Sequence, residues 1–141
     1  MGRGDSKVEA LRAHPLLDGC SNRELERLAG LCDWITEPAG TVLTTEGRTG
    51  LEFFLVVEGV ADVLVDGAAV GELGRGDFFG ELALLERGRP VRRATVVARE
   101  RMGLYVFDAR GFATVLAGMP QVAAQIREQA RRRQPRPATP A

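Results

Sequence analysis

Apolar positions recur with a helical period at both ends of this chain and give way to short runs separated by glycine in between. Val8 to His14 fits a short helix that Pro15 ends, after residues 1–7 that read as a disordered leader. Ser21-Asn22-Arg23-Glu24 has the spacing of a capping box, with Leu25, Leu28, Ala29 and Leu31 on one face of the helix it opens. From Trp34 to Val106 the runs are Thr41–Thr44, Phe53–Val57, Val60–Val65, Ala68–Leu73, Ala94–Ala98 and Gly103–Phe107. Asp66-Gly67, between two of them, is a two-residue hairpin signal. One helical turn, Leu82 to Leu85, interrupts the strands, and its N-terminal amides require a partner. Helical periodicity returns at Asp108, with one helix over Ala109–Ala117 and another from Pro120 to Arg133 carrying Val122, Ala123, Ile126 and Ala130 as a stripe.

Many short strands with regular turn signals predict a barrel or sandwich, mainly β, with helices at both ends. The expected division is a leader over 1–14, one domain over 15–133 and a disordered Pro-rich tail over 134–141. A chain of 141 residues suits a single core, and 45% hydrophobic with 27% charged residues is ordinary for a soluble domain.

The formal net charge is zero, so no global field attracts nucleic acid. No apolar run approaches the ~20 residues that span a bilayer, and Met1 to Asp5 lack a signal peptide's apolar stretch. Gly2 followed by Ser6 fits a myristoylation pattern only weakly. Cys20 and Cys32 both fall in the N-terminal helical region and read as reduced, partly buried thiols in a cytoplasmic protein. With His14 as the sole histidine and no Cys-x-x-Cys, a metal site has no support, and no Ser/His/Asp or Cys/His set suggests an enzyme. The arginines at 127, 131, 132, 133 and 136 read as cations complementing a helix C-terminus, since no aromatic residues interleave with them.

The chemistry concentrates in Phe79-Gly80-Glu81-Leu82-Ala83-Leu84-Leu85 and Pro90-Val91-Arg92-Arg93-Ala94-Thr95-Val96. Gly80 lets a ligand approach the backbone. Glu81 suits a sugar hydroxyl as an acceptor. Amides of a helix start and an arginine fork both suit a phosphate. Sugar and phosphate side by side make a nucleotide.

On these residues, which match its phosphate-binding cassette, the chain resembles the cyclic nucleotide-binding domain family, found in kinase regulatory subunits and bacterial catabolite activator proteins. The resemblance runs from about Leu16 to about Arg133. It implies an α+β, mainly β fold: an eight-stranded antiparallel β-roll, a jelly-roll-like barrel, flanked by N-terminal helices and C-terminal B and C helices. It implies that Glu81 takes the ribose 2′-hydroxyl, that Gly80, Leu82 and Ala83 offer backbone groups, and that Arg92 pairs with the cyclic phosphate. Phe79, Arg93 and Ala94 complete the expected ligand set. The ligand implied is cyclic AMP, less readily cyclic GMP, with no metal. The C helix would move on binding and signal to an effector protein, without direct nucleic-acid contact or a membrane span. The loop Glu86-Arg87-Gly88-Arg89-Pro90-Val91 is longer than usual, and Val91 separates a proline and an arginine that the family keeps adjacent. Arg93 or Arg89 thus competes with Arg92 for the phosphate. Arg93 also stands where a small residue or threonine is usual. The alternatives are an interaction module whose cassette no longer binds nucleotide, or the sensor fragment of a transcription regulator. The Pro-rich end argues against the latter.

Overall fold

A computed structural model describes residues 3–86 and 89–133; the tail over 134–141 lies outside the described residues. Helix α1 spans Arg3–Arg12, a short 3-10 turn follows at Pro15–Leu17, and α2 spans Asn22–Ala29. Eight strands come next: β1 (Cys32–Glu37), β2 (Val42–Thr44), β3 (Glu52–Glu58), β4 (Ala61–Val65), β5 (Ala68–Leu73), β6 (Phe78–Phe79), β7 (Thr95–Ala98) and β8 (Met102–Asp108). Helix α3 (Glu81–Leu85) lies between β6 and β7, and α4 (Ala109–Gly118) and α5 (Pro120–Arg133) end the described chain.

The strands form two four-stranded antiparallel sheets, ordered β1-β8-β3-β6 and β2-β7-β4-β5. The eight-stranded roll is therefore two facing open sheets and not a closed barrel. Core strand β3 is buried on both sides, which explains its unbroken apolar run. Phe53 and Leu55 face a helical core with Leu25, Leu28, Phe107, Phe112 and Ile126. Phe54 and Val56 face the space between the sheets with Val96, Met102 and Leu104. Adjacent Phe78 and Phe79 divide the same way, and Phe79 stacks on Phe54 with ring centroids 4.6 Å apart.

Turn chemistry behaves as the sequence indicates. Asp66 and Gly67 both take positive φ, 53° and 78°, closing the β4–β5 hairpin with Val65 opposite Ala68. The Ser21 side chain accepts from the Glu24 amide while Glu24 accepts from the Ser21 amide, a reciprocal cap on α2. Along α5 the buried residues are Val122, Ala123, Ile126 and Ala130, the stripe that periodicity predicts.

Three expectations need correction. Residues 3–7 of the segment read as a disordered leader form the start of α1, a helix beginning at Arg3 rather than Val8, and residues 1–2 lie outside the described residues. Tertiary docking explains this: Leu11 is fully buried in the helical core, Val8 and Ala10 pack against it, and Lys7 donates to the Cys32 carbonyl. Cys32 opens strand β1 and does not lie in a helix. Both cysteines are buried free thiols, and burial pushes the Cys32 thiol up to about 11. His14 is no helical residue either. It caps the 3-10 turn, its Nδ1 accepting from the Leu16 amide.

Candidate functional site

A cavity of about 390 Å³ opens between the β2-β7-β4-β5 sheet, α3 and the last turn of α5. All eight residues nominated from the sequence border it: Phe79, Gly80, Glu81, Leu82, Ala83, Arg92, Arg93 and Ala94. The wall supplied by β4 and β5 carries Val63, Val65 and Val70, with Glu72 beside them.

Gly80 joins β6 to α3 in the left-handed region, φ 97°. A Cβ there would meet the Glu52 carbonyl oxygen at 2.5 Å, so this turn admits only glycine. The turn swings Glu81 inward as the first residue of α3, where it is 1% exposed. Its Oε1 accepts from Arg133 Nη1 at 2.6 Å, and its Oε2 is buried without a partner among the described residues. Burial pushes the Glu81 carboxyl above its ordinary range, and the Arg133 guanidinium opposes that shift. A buried acceptor left open costs about 1–3 kcal/mol. A ligand hydroxyl donating to Oε2 would recover that.

Arg92 is fixed from both sides. The segment carrying it zips onto the β2–β3 loop: Gly50 N donates to the Pro90 carbonyl at 2.7 Å, Arg92 N to Arg48 O at 2.8 Å and Gly47 N to Arg92 O at 2.9 Å. Thr49 and Val91 form a bridge within the same zipper. These bonds hold Arg92 in place at the end of the longer loop. Arg92 as a whole is 6% exposed, and its guanidinium donates from Nη1 to the Gly80 carbonyl at 3.2 Å and from Nη2 to the Glu52 carbonyl at 2.9 Å and lies over the Phe54 ring. Burial lowers its pKa, opposed by the Glu52 and Glu81 carboxylates, but an arginine stays charged throughout the working range.

The three competing arginines thus separate by environment. Arg89 is exposed and does not border the cavity. Arg93 is half-exposed and paired with Glu86 at 2.5 Å, touching the cavity from its rim. Arg92 alone of the three is buried beside Gly80.

Sequence reasoning missed three participants. Gly50 passes so close to Arg92 that a Cβ would lie 1.7 Å from Nε. Gln129 and Arg133, one turn apart on α5, also border the cavity, and Arg133 stacks over Phe78 with 5.1 Å to the ring centroid. Arg133 belongs to the group read as solvated cations; the structure removes it from that group. Its only sequence signal was four-residue spacing from Gln129 on the polar side of the buried stripe, which does not point to Glu81, 52 residues earlier. No cluster of His, Cys, Asp or Glu suited to a metal occurs among the described residues.

The arrangement suits a small anion carrying a hydroxyl and an apolar body. Residues 36–118 match the family described as cyclic nucleotide-binding domain, and the chain belongs to that family, whose members act as regulatory domains. It is 34% identical over 103 residues to a cAMP-dependent protein kinase regulatory subunit of Schizosaccharomyces pombe, covering 72% of this chain and 24% of that protein. The chain therefore spans about a quarter of that relative's length. Among solved structures, the catabolite activator protein of Thermus thermophilus superposes with TM-score 0.72 at 26% identity, covering 84% of this chain and 57% of that one. The regulatory subunit of a cAMP-independent protein kinase A from Trypanosoma brucei shares the fold with TM-score 0.81 at 24% identity, covering 94% and 47%.

Proposed function

We propose that this chain is a cyclic nucleotide sensor that prefers cyclic AMP and signals through its C-terminal helices to an effector protein. The observation that carries the reading is the pairing, across Gly80 and in one cavity, of a buried carboxylate with an open acceptor and a buried arginine. In this reading Glu81 Oε2 accepts from the ribose 2′-hydroxyl. Arg92 and the amides of Leu82 and Ala83 hold the cyclic phosphate. Phe79, Arg93 and Ala94 flank the ligand, and the valine wall takes the base. Arg133 ties α5 to Glu81, so ligand on Glu81 is felt directly by that helix.

The protein acts as a regulatory domain and not as an enzyme, in the cytoplasm, without metal and without direct contact to nucleic acid. Among the described residues, no helix is long and apolar enough to cross a membrane. Selectivity follows from Arg93. It offers only donors, and a guanine 2-amino group facing it is a donor too. The fold alone does not choose the nucleotide, since the Trypanosoma protein of similar fold is described as cAMP-independent.

Calorimetric titration with cyclic AMP, cyclic GMP and 2′-deoxy cyclic AMP tests the reading. Cyclic AMP is expected to bind more tightly than cyclic GMP by no more than about tenfold, because Arg93 is half-exposed and water satisfies part of an unpaired donor there. The Glu81→Gln variant is expected to lose more affinity for cyclic AMP than for the deoxy analogue. Absence of heat and of thermal stabilisation with every nucleotide at millimolar concentration would leave the interaction module as the function.

A further inference from the structure

A second depression lies behind the nucleotide cavity, about 830 Å³, running along α5 from Pro120 to Arg131. Half-buried leucines wall it: Leu82 and Leu85 from α3, and Leu116 from α4. Arg93, Arg127 and Arg131 stand around it against one acid, Glu86. Counting Glu128, which pairs with Arg131, three cations meet two acids, an excess of one in a chain whose formal net charge is zero. Arg93 and Arg131 pair with Glu86 and Glu128 but keep 43% and 76% of their side chains exposed, so donors remain free. Arg127 is exposed and makes no ion pair among the described residues.

We propose that this groove docks an acidic amphipathic helix of a partner protein. The proposal rests on the regulatory reading above and gives the effector a place and a chemistry. Pro120 to Arg131 covers about three helical turns, roughly 16 Å, the length over which a helix presents apolar anchors at i, i+4 and i+7. Leucine walls accept those anchors, and the arginines accept carboxylates on its flanks. A basic helix would meet like charge. Leu82 and Arg93 border both the groove and the nucleotide cavity. The two sites share a wall, so ligand in one changes affinity in the other, and reciprocally.

The test uses the full chain, isotope-labelled for NMR, and a synthetic stapled 14-residue helix with leucines on one face and glutamates flanking them. The expected result is shifts confined to Leu82, Leu85, Leu116 and the outer face of α5. At least tenfold weaker binding is expected for the same peptide with lysine in place of glutamate, and for the chain carrying Arg127→Glu and Arg131→Glu. Circular dichroism checks that this double variant is folded, and Arg127→Ala alone gives a milder version. Binding that ignores the peptide's charge, shifts elsewhere, no shifts, or occupation by decanoate but not by the peptide would each overturn the proposal. If the peptide docks in the groove while calorimetry finds no nucleotide binding, the groove stands and the sensor reading falls. If nucleotide binds and the peptide does not, the reverse holds.

Discussion

An arginine carries five N–H donors, and at Arg92 the fold uses two of them on the carbonyls of Gly80 and Glu52. In the proposed reading a phosphate receives the remainder. Arg92→Lys is expected to weaken cyclic AMP binding by roughly 2–4 kcal/mol, because a point charge reproduces neither the fork nor the two carbonyl bonds. Arg92→Ala should lose as much affinity and also lower the melting temperature, since the Gly80 and Glu52 carbonyls both lose this donor. The same residue gives Gly50 its meaning. Gly50→Ala places a methyl where the Arg92 Nε now lies, so it should displace the guanidinium and mimic Arg92→Ala in titration while leaving Glu81 intact. Full affinity in Gly50→Ala would mean that Arg92 binds the phosphate from another position.

At the scale of elements, α5 is held by its apolar stripe and by an ion pair whose carboxylate, Glu81, is buried and whose guanidinium, Arg133, is partly exposed. The stripe, with Ile126 fully buried, fixes the helix on the core, while Arg133 fixes its last turn on the cassette. Removing the cation leaves the buried Glu81 carboxylate uncompensated unless that group changes protonation state. Glu81 has that escape. Burial already raises its pKa and Arg133 holds it down, so removing the cation should raise it further. In Arg133→Gln, the pH below which cyclic AMP affinity declines should therefore move upward relative to the parent chain. A general weakening of the helix would lower affinity without moving that midpoint. Amide exchange along α5 is expected to slow when cyclic AMP binds. Unchanged exchange would remove α5 from the signalling route.

At the scale of the molecule, the N-terminal segment is joined to the cavity through His14. Its Nδ1 accepts from the Leu16 amide, which puts the proton on Nε2, and that nitrogen donates to the Asp77 carbonyl at 3.1 Å. Asp77 borders the cavity and its own Oδ2 accepts from Gly74 N. Burial pushes the His14 pKa below its ordinary value, against the smaller opposing pull of Asp77. The unfolded chain therefore binds a proton before the folded one does. The contribution to stability is complete above the ordinary histidine pKa of about 6.5 and is lost as pH falls from there towards the folded value. Glu81 has the opposite sign, its raised pKa favouring the folded state as pH falls. Comparing the parent with His14→Gln isolates the histidine: between pH 7.5 and 5.5 the parent should lose more melting temperature than the variant. Equal losses would show that His14 does not titrate on unfolding.

Local physical chemistry made much of this protein legible in its sequence. The cap at Ser21, the hairpin at Asp66-Gly67, the buried stripe of α5 and the contiguity of Gly80, Glu81 and Leu82 are set by neighbours a few residues apart. Strand β6 was less visible because two residues give no period, and β1 because exposed residues fall on both of its faces and break the alternation. The order of α1 from Arg3 depends on docking against the helical core, which local propensity does not report. The division of the strands into two open sheets and the clearance of Gly50 above Arg92 also belong to the folded state. So does the partner of Glu81. A chain pattern shows that Arg133 sits at the end of a helix, but only packing of α5 against the cassette decides that its guanidinium enters the cavity, because that choice depends on contacts 52 residues apart.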